Sequence, residues 1–318
     1  MQQYIVKRAL LFIPTIILVT IMVFALMRMI PGDPAFLILA GGGEGNFTQE
    51  ELDNLRHELG TDRHILVQYG DWLWGLLQGD MGTALFYGTT VTSELGPKIP
   101  LTFQLAIMAA IISFIVAVPL GMISALKQDS WFDYAARIFT FTGISIPIFV
   151  TGLVVVYLLV ELFGWFPPIT YAQIWEDPLT NLKMMIFPAL TLAYFQMNFT
   201  ARVTRSAMLE VMRDDYIRTA RSKGLAEYRV VFLHALKNAL LPIVTVSGWA
   251  LGLLLGGTII IEKIFVVPGM GSLLLQAITA RDYILVMGDV LVFALAVMIV
   301  NLAVDVIYAW LDPRIRYG

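Results

Sequence analysis

The sequence has 318 residues, of which 58% are hydrophobic and only 14% are charged, with a formal net charge of −3. A soluble globular domain averages about 45–50% apolar and about 25% charged residues. This composition therefore excludes an ordinary soluble protein and indicates that lipid surrounds most of the chain. The sequence contains no cysteine, which excludes disulfides, thiolate catalysis and cysteine metal sites.

Six apolar stretches are long enough to cross a bilayer, which needs about 20 residues of helix. We predict spans at roughly 9–30, 101–126, 136–162, 184–201, 239–261 and 288–311. Prolines inside three of them need neighbouring helices to satisfy the freed carbonyl groups: Pro119, Pro147 and Pro188. The predicted fold is an all-α integral membrane protein, a bundle of six transmembrane helices.

The placement of lysine and arginine predicts the orientation of these spans. If the N-terminus lies in the cytoplasm, 14 of the 21 basic residues fall on the cytoplasmic side. Cytoplasmic loops of membrane proteins carry such an excess of basic residues. We therefore predict that both termini are cytoplasmic.

This orientation divides the chain into three parts. Residues 1–30 hold the N-terminal tail and the first span, residues 31–100 form a small extracytoplasmic subdomain, and residues 101–318 form the core with the other five spans. Within the subdomain, Thr48 followed by Glu51 three residues later fits a capping box and predicts a short helix over 48–59. A second, amphipathic helix is expected over 68–77.

Motifs of catalytic and nucleotide-binding sites are missing from the sequence. It has no glycine-rich phosphate loop ending in Lys-Ser/Thr, no His-Glu-x-x-His and no Gly-x-Ser-x-Gly. The three histidines, at positions 57, 64 and 234, show no metal-ligand spacing. We predict that the chain is not an enzyme, that it binds no cofactor or metal, and that any ATP is hydrolysed by another subunit.

The longest predicted cytoplasmic segment, residues 202–238, is highly charged yet helical in composition. Gly224 divides it, with Ala220 and Leu225 among the apolar positions on either side. One interpretation is a basic loop that only fixes topology. The other is a helix–glycine–helix knob that lies at the membrane surface and contacts a soluble partner.

The stretch 215–242 resembles the cytoplasmic coupling segment of ABC importer permeases. The pattern of that family is Glu-Ala-Ala, three residues, Gly, nine residues and then Ile-x-Leu-Pro. The positions that match it are Ala220, Gly224 and Leu236. The positions that depart from it are Arg218, Thr219, His234 and Lys237. These departures are similar to the variant found in dipeptide, oligopeptide, glutathione and nickel permeases.

Shorter motifs along the chain are similar to the same subfamily. They are the stretches 29–34, 79–82, 143–147 and 268–271, together with C-terminal residues between Asn301 and Arg316. Their order and spacing make the chain resemble the first of the two permeases in an importer of the dipeptide, oligopeptide and nickel class.

The resemblance implies a transmembrane permease subunit that forms half of the pathway of an ATP-driven, binding-protein-dependent importer of di- or oligopeptides. The implied partners are a second homologous permease, two cytoplasmic ATPase subunits that use ATP and Mg, an extracytoplasmic substrate-binding protein and membrane lipid, with no nucleic acid. The implied location is the plasma (inner) membrane of a prokaryote. A nickel or glutathione importer stays open as an alternative, as do an ATP-independent secondary transporter and a membrane-embedded enzyme.

The resemblance also implies which residues couple the permease to the ATPases: Arg218, Thr219, Ala220, Arg221 and Gly224. The basic residues among them are expected to meet acidic groups on an ATPase or the anionic inner leaflet. Glycine at 224 is expected to allow a turn that a side chain would obstruct.

A second group of residues follows the fifth span and is expected to form an outer surface where the binding protein docks: Glu262, Phe265, Pro268, Gly269 and Gly271. In the sixth span, Asn301 and Asp305 lie four residues apart on one helix face and are candidate buried polar residues. Several other polar residues are expected either to line the pathway or to bond between helices: Gln104, Ser113, Thr140, Thr142, Ser145, Gln196 and Asn198.

Overall fold

The computed structural model describes residues 2–29, 33–40, 47–58, 60–168 and 170–311. The first helices in chain order are α1 (Gln2–Met29), α2 (Pro34–Ala40), α3 (Gln49–Glu58), α4 (Ile65–Leu77) and α5 (Val91–Leu95). They are followed by α6 (Ile99–Leu126), α7 (Trp131–Ser145), α8 (Ile148–Phe163), α9 (Pro178–Val211), α10 (Asp215–Ser222), α11 (Glu227–Arg229), a π-helical turn (Val230–Ala235), α12 (Leu236–Ile264), α13 (Met270–Ala280) and α14 (Tyr283–Leu311). The all-helical prediction is confirmed.

The predicted spans correspond to long helices of the bundle. α1, α6, α12 and α14 are each long and apolar enough to cross a membrane, and α7 with α8 passes the same test only as a bent pair, which fits a broken span or a re-entrant loop. α9 is 34 residues long and includes the stretch predicted as the fourth span, but it is not among the helices that are apolar enough to count as spans, so this span stays a prediction. Its hydropathy is lower because it buries polar residues such as Gln196 and Asn198, which face neighbouring helices rather than lipid.

The third span differs from the continuous helix predicted over 136–162. α7 and α8 meet at an angle of 106°. Pro147 has no N–H to continue the helical ladder and disfavours helical geometry at the preceding residue. Ile146 is accordingly extended, with φ −93° and ψ 123°. The span is therefore broken at Pro147 into two helices.

α9 lies at the centre of the bundle and packs against α6, α7, α8 and α12. The main apolar cluster joins α6, α8, α9 and α12 through residues such as Leu105, Met185, Leu192, Leu254 and Ile261, all of which are almost fully buried. A second cluster, at one end of the bundle, joins α6, α9 and α12 to the short helix α10. The short helix is thus part of the folded core.

The segment before α6 folds against the opposite end of the bundle. The predicted capping box is present, since Thr48 N donates to Glu51 Oε2 at 2.7 Å and Glu51 N donates to Thr48 Oγ1 at 3.2 Å. α4 begins at Ile65, three residues before its predicted start, and its aromatic residues Tyr69 and Trp72 pack on Phe24 of α1. The segment therefore contacts the bundle through α1, and Val91 and Leu95 of α5 also pack with residues of α13 and α14.

Candidate functional site

The bundle has two ends with different chemistry. The α10 end consists of the C-terminal part of α6, the start of α7, the C-terminal part of α9, and α10 with α11. The α13 end consists of α5, the N-terminal part of α6, the C-terminal part of α12, α13 and the start of α14. The residues singled out by the sequence fall mainly at these two ends.

At the α10 end, α10 presents one apolar face to the bundle. Ile217 and Ala220, three residues apart on the helix, are 0% and 6% exposed. They pack in one cluster with Met122 of α6, Met208 of α9 and Val231 of the π-helical turn. Residues three apart share a helix face, so this spacing seats α10 on three elements at once.

The opposite face of α10 is open to solvent. Four of the five predicted coupling residues are exposed: Arg218, Thr219, Arg221 and Gly224. The fifth, Ala220, is buried and belongs to the base that holds the helix in place. We call α10 together with Arg221–Glu227 the coupling platform, after the role that the resemblance in sequence implies for it.

Gly224 ends α10 with a turn that favours glycine. Its φ is +73°, in the left-handed region, which costs a residue with a side chain about 1–2 kcal/mol. Its N–H donates to Arg221 O at 2.9 Å, and the N–H of Leu225 donates to Ala220 O at 3.4 Å, as at many helix C-termini. A Cβ atom here would meet nothing within 4 Å. The turn therefore needs glycine for its backbone conformation rather than for space inside the chain.

Polar contacts fix the two sides of this turn. The Arg221 guanidinium donates to the Glu227 carboxylate at 2.6 Å and 3.2 Å. This charge-assisted pair raises the pKa of Arg221 above its ordinary value. Asn238 of α12 donates to the Tyr216 hydroxyl of α10 at 2.8 Å. The coupling platform is thus tied both to itself and to a spanning helix.

A buried ion pair at the α10 end was not predicted. Asp133, at the start of α7, is fully buried and accepts from Arg205 Nε at 2.8 Å and from the Arg205 terminal nitrogen Nη2 at 2.7 Å. The hydroxyl of Ser124 on α6 also donates to Asp133. The one local signal is Ser130, which caps α7 by accepting from Asp133 N at 3.4 Å. The contact joins α6, α7 and α9.

At the α13 end, Glu262 is fully buried at the C-terminal end of α12. Its carboxylate accepts from Thr102 Oγ1 at 2.6 Å and from Ser272 N at 3.0 Å. Thr102 Oγ1 in turn accepts from Met270 N at 2.9 Å. Glu262 and Thr102 therefore satisfy N–H groups at the start of α13, as capping groups do at helix N-termini. We call this network the Glu262 knot.

The glycines that follow Glu262 make room for its carboxylate. A Cβ atom on Gly269 would lie 2.4 Å from the carboxyl carbon, and one on Gly271 would lie 2.5 Å from the Ile259 Cα atom. Side chains at these positions would displace the carboxylate or separate α12 from α13. The Pro-Gly-Met-Gly motif therefore has an internal structural role.

The predicted docking surface at this end is accordingly wrong for most of its members. Phe265 is 1% exposed and packs with the main apolar cluster. Glu262, Gly269 and Gly271 are buried in the Glu262 knot, and only Pro268 is half-buried. Buried carboxylates need hydrogen-bond partners, and the knot supplies them by folding the turn inward. The neighbouring exposed residues are Lys263 and Val266.

The polar pair predicted on the sixth span has a different outcome. Asn301 is exposed on this chain, so the prediction that it is buried is wrong within a single chain. The amide oxygen of Asn301 lies 3.5 Å from the position that a Cβ on Gly252 would take. The side chain of Asp305 lies outside the described residues.

Three of the other polar candidates differ in what their side chains contact. Gln104 pairs with Asn181 of α9 through two amide hydrogen bonds. Asn198 donates to Tyr194 O at 2.7 Å in its own helix. Gln196, by contrast, is 3% exposed and borders a cavity between helices. Of these three residues, Gln196 alone faces open space.

Comparison with known proteins shows which family this chain resembles. The family described as "Binding-protein-dependent transport system inner membrane component" matches residues 117–317, and the N-terminal part of such membrane components matches residues 1–106. The chain is 42% identical over 317 residues to the "Putative peptide transport system permease protein" of Brucella abortus (strain 2308), covering 100% of both. It is 38% identical over 341 residues to the dipeptide transport system permease protein DppB of Escherichia coli (strain K12), covering 100% of this chain and 99% of that protein.

Two solved structures share the fold. One is an amino acid ABC transporter crystallised with histidines, with a TM-score of 0.52 at 15% identity over 68% of this chain and 94% of that one. The other is the MetNI methionine ABC transporter in an inward facing conformation, with a TM-score of 0.53 at 17% identity over 69% and 96%. The family match over most of the chain and the identity to full-length relatives agree with the fold: this chain belongs to the binding-protein-dependent transport system inner membrane components.

Proposed function

We propose that the chain is a transmembrane permease subunit of an ATP-driven peptide importer and that it forms half of the translocation pathway. The single observation that carries the proposal is the coupling platform, an exposed charged helix on a buried apolar base. The names of the full-length relatives, which are peptide and dipeptide transport permeases, support peptides as the substrate class.

In this proposal the coupling platform receives force from a cytoplasmic ATPase. The exposed Arg218, Arg221 and Lys223 meet acidic groups of a cleft on that subunit, which binds and hydrolyses ATP with Mg. Closure of two such ATPases moves α10, and the buried Ile217 and Ala220 pass the movement to α6, α9 and α12. A second homologous permease supplies the other half of the pathway, so the bundles rock about a shared site.

The proposed orientation places the α10 end and both termini in the cytoplasm of a prokaryote. The α13 end then faces outward, where a substrate-binding protein docks on exposed groups such as Lys263 and Val266. A topology reporter inserted at the exposed turn around residue 88 reads external in this proposal, and one at residue 215 reads cytoplasmic. The reverse pattern contradicts the orientation.

Purification of the complete complex tests the proposal. We expect a second permease and ATPase subunits to co-purify with this chain. In lipid vesicles, a binding protein loaded with dipeptide is expected to stimulate ATP hydrolysis and dipeptide uptake. Stimulation by nickel or glutathione instead of peptide would move the assignment to another substrate of the same family. Solute flux without ATP would favour a secondary transporter.

A further inference from the structure

A small pocket lies at the α10 end, where α6, α7 and α9 meet. Its volume is about 20 Å³, and a cavity needs about 10–15 Å³ to hold one water molecule. Three arginines line it, Arg137, Arg202 and Arg205, beside small residues such as Gly121 and Ala136. The pocket therefore admits one small polar group, such as one oxygen atom of a larger anion, at a place where positive charge is concentrated.

The positive charge at the pocket exceeds the negative charge. Asp133 accepts from Arg205 at 2.7 Å and 2.8 Å, but its Oδ2 atom lies 4.0 Å from Arg137 Nη1. Arg202 has no carboxylate within ion-pair distance in the part of the chain that the structure describes. The exposed Asp129 donates from its N–H to Asp133 Oδ2 at 3.1 Å and does not line the pocket. Asp133 therefore offsets mainly the charge of Arg205.

Aromatic rings hold the other two guanidinium groups. Arg137 Cζ lies 5.2 Å from the centre of the Tyr134 ring. Arg202 Cζ lies 5.2 Å from the centre of the Phe199 ring and 5.9 Å from that of the Phe141 ring. A cation–π contact attracts a cation to a ring without cancelling its charge. Both arginines are therefore positioned as cations that can still donate N–H groups to an anion.

The pocket lies at the boundary of two predicted spans. Arg137 is the second residue of the stretch 136–162, and Arg202 directly follows the stretch 184–201. Trp131, at the start of α7, is 80% exposed, and tryptophan is enriched at the interface between membrane and water. These positions place the two arginines at the level of the lipid headgroups.

An apolar surface lies beside the pocket. Ile138 and Phe141 of α7 are 67% and 55% exposed, and Phe141 contacts the Arg202 guanidinium. A phospholipid offers a phosphate group to the arginines and an acyl chain to this apolar surface. A free phosphate ion offers only the charged group. The combination of the two surfaces therefore favours a lipid.

We propose that this pocket binds the phosphate group of an anionic phospholipid, in the leaflet that is cytoplasmic in the proposed orientation. Arg137 and Arg202 donate to the phosphate, and an acyl chain lies against Ile138 and Phe141. The planar guanidinium of arginine matches phosphate oxygens through two N–H groups. The uncompensated positive charge favours an anionic headgroup over a zwitterionic one. The site goes beyond the proposed function and does not depend on which substrate is carried.

Lipid binding by the purified complex tests the proposal. The complex is stripped of lipid in detergent and titrated with dioleoylphosphatidylglycerol, and native mass spectrometry measures the bound lipid. We expect Arg137→Gln and Arg202→Gln each to weaken one phosphatidylglycerol site about fivefold, which corresponds to about 1 kcal/mol. Dioleoylphosphatidylcholine is expected to bind this site more weakly than phosphatidylglycerol and to show no such difference between the complexes.

Arg213→Gln is the matched control. Arg213 is an exposed arginine at the same end of the bundle, but it does not line the pocket. This variant removes the same charge and is expected to leave the affinity for phosphatidylglycerol unchanged. Arg202→Lys keeps the charge and is expected to bind more tightly than Arg202→Gln. The Tm of each complex without added lipid shows that the variants are folded.

Each other outcome overturns the proposal in a recognisable way. Equal affinity of the folded pocket variants and the unaltered complex means that the arginines do not hold a lipid. An equal loss in Arg213→Gln means that only the total charge matters. Displacement of the lipid by inorganic phosphate alone means that the pocket binds the free ion. Binding by the isolated chain but not by the complex means that another subunit covers the pocket.

Discussion

The two ends of the bundle use charged residues in opposite ways. At the α10 end, Arg218 and Arg221 stand on the exposed face of a helix whose other face is buried. At the α13 end, Glu262 is fully buried and holds together α6, α12 and α13. Sequence alone suggested a surface at both ends. The difference teaches that a charged residue beside a span can either stand on a surface, as Arg218 does, or be folded into the core, as Glu262 is.

The glycines of the two ends show the same contrast. Gly224 has open space around it and is required by its positive φ. Gly269 lies against the Glu262 carboxyl group, and a Cβ there would collide with it. Gly224 shapes an exposed turn, whereas Gly269 leaves room for the buried Glu262 carboxyl group. Substitutions at the two ends should therefore separate function from stability.

The largest expected effect on stability comes from the ion pair at the α10 end. Asp133→Asn leaves the Arg205 guanidinium, whose side chain is 22% exposed, without its carboxylate. Breaking a fully buried pair in this way costs about 3–5 kcal/mol, and solvent at Arg205 should reduce that cost. The thermal midpoint Tm of the purified complex in detergent is the measurement. Adding Arg205→Gln to the same chain removes the unpaired charge and is expected to recover part of the loss.

Asp71→Asn is the control for that ion pair, because Asp71 pairs with Arg63 on an exposed surface. Exposed pairs contribute little to stability, so we expect almost no change in Tm. An Asp133→Asn complex as stable as the Asp71→Asn complex would contradict the structural role of the buried pair.

The Glu262 knot should give the next largest effect. Glu262→Ala removes the acceptor of the Thr102 hydroxyl and of the Ser272 N–H group. Leaving a buried donor unpaired costs about 1–3 kcal/mol, and we expect this loss of stability to lower Tm. Glu161→Ala on the exposed side of α8 is the control and should leave Tm unchanged. If Glu262 instead contacts the binding protein, the Glu262→Ala complex keeps the Tm of the unaltered complex. It then loses only the stimulation of ATP hydrolysis by the binding protein.

At the coupling platform, the expected effect of Gly224→Glu is on transport. The left-handed φ costs the new residue about 1–2 kcal/mol, and its side chain projects into the exposed face. We expect the chain to insert normally and peptide uptake to fall at least tenfold, which corresponds to about 1.4 kcal/mol. Uptake by vesicles and the amount of inserted chain are the two measurements.

Gly164→Glu is the matched control for that substitution. Gly164 also ends a helix with positive φ, and a Cβ there also meets nothing within 4 Å. The backbone strain is therefore similar, but the residue lies at the end of α8. A Gly164→Glu complex that loses uptake as strongly as Gly224→Glu would show that strain alone explains the loss.

The smallest expected effect concerns Arg221. Its pair with Glu227 is partly exposed, and such pairs contribute at most about 1 kcal/mol. Arg221→Ala should therefore hardly change Tm. Because the guanidinium faces the proposed ATPase, we expect a severalfold loss in ATPase binding at low salt that shrinks as the salt concentration rises. A salt-independent loss would indicate that packing rather than charge is involved.

The sequence was sufficient to predict the local features of the fold. Apolar runs gave the spans, the Thr48–Glu51 spacing gave the start of α3, and the glycine in the charged segment gave the break after α10. Each of these signals arises from residues within a few turns of one another. The apolar base of α10 was predicted only in part, because the sequence analysis named Ala220 but not Ile217, which is also buried.

The features that were missed depend on distant partners. Glu262 bonds to Thr102, which is 160 residues away, and Asp133 bonds to Arg205, which is 72 residues away. No local pattern reveals which distant side chain will satisfy a buried carboxylate. A glutamate just beyond an apolar run therefore resembles a surface residue until the packing of α6 against α12 is known.

The break at Pro147 determines how movement can pass through the third span. α7 lies beside α9 near Arg205 and Asn198, whereas α8 lies beside α12, with Ile148 near Gly257 and Gly152 near Ile261. Because the helical hydrogen bonds are interrupted at Pro147, α7 and α8 do not form one rigid helix. A displacement of α7 is therefore not transmitted along a helix axis to α8. It reaches the far half only sideways, through α9 and α12. The span thus consists of two helices joined at a bend, and each helix can move with the different helices that it contacts.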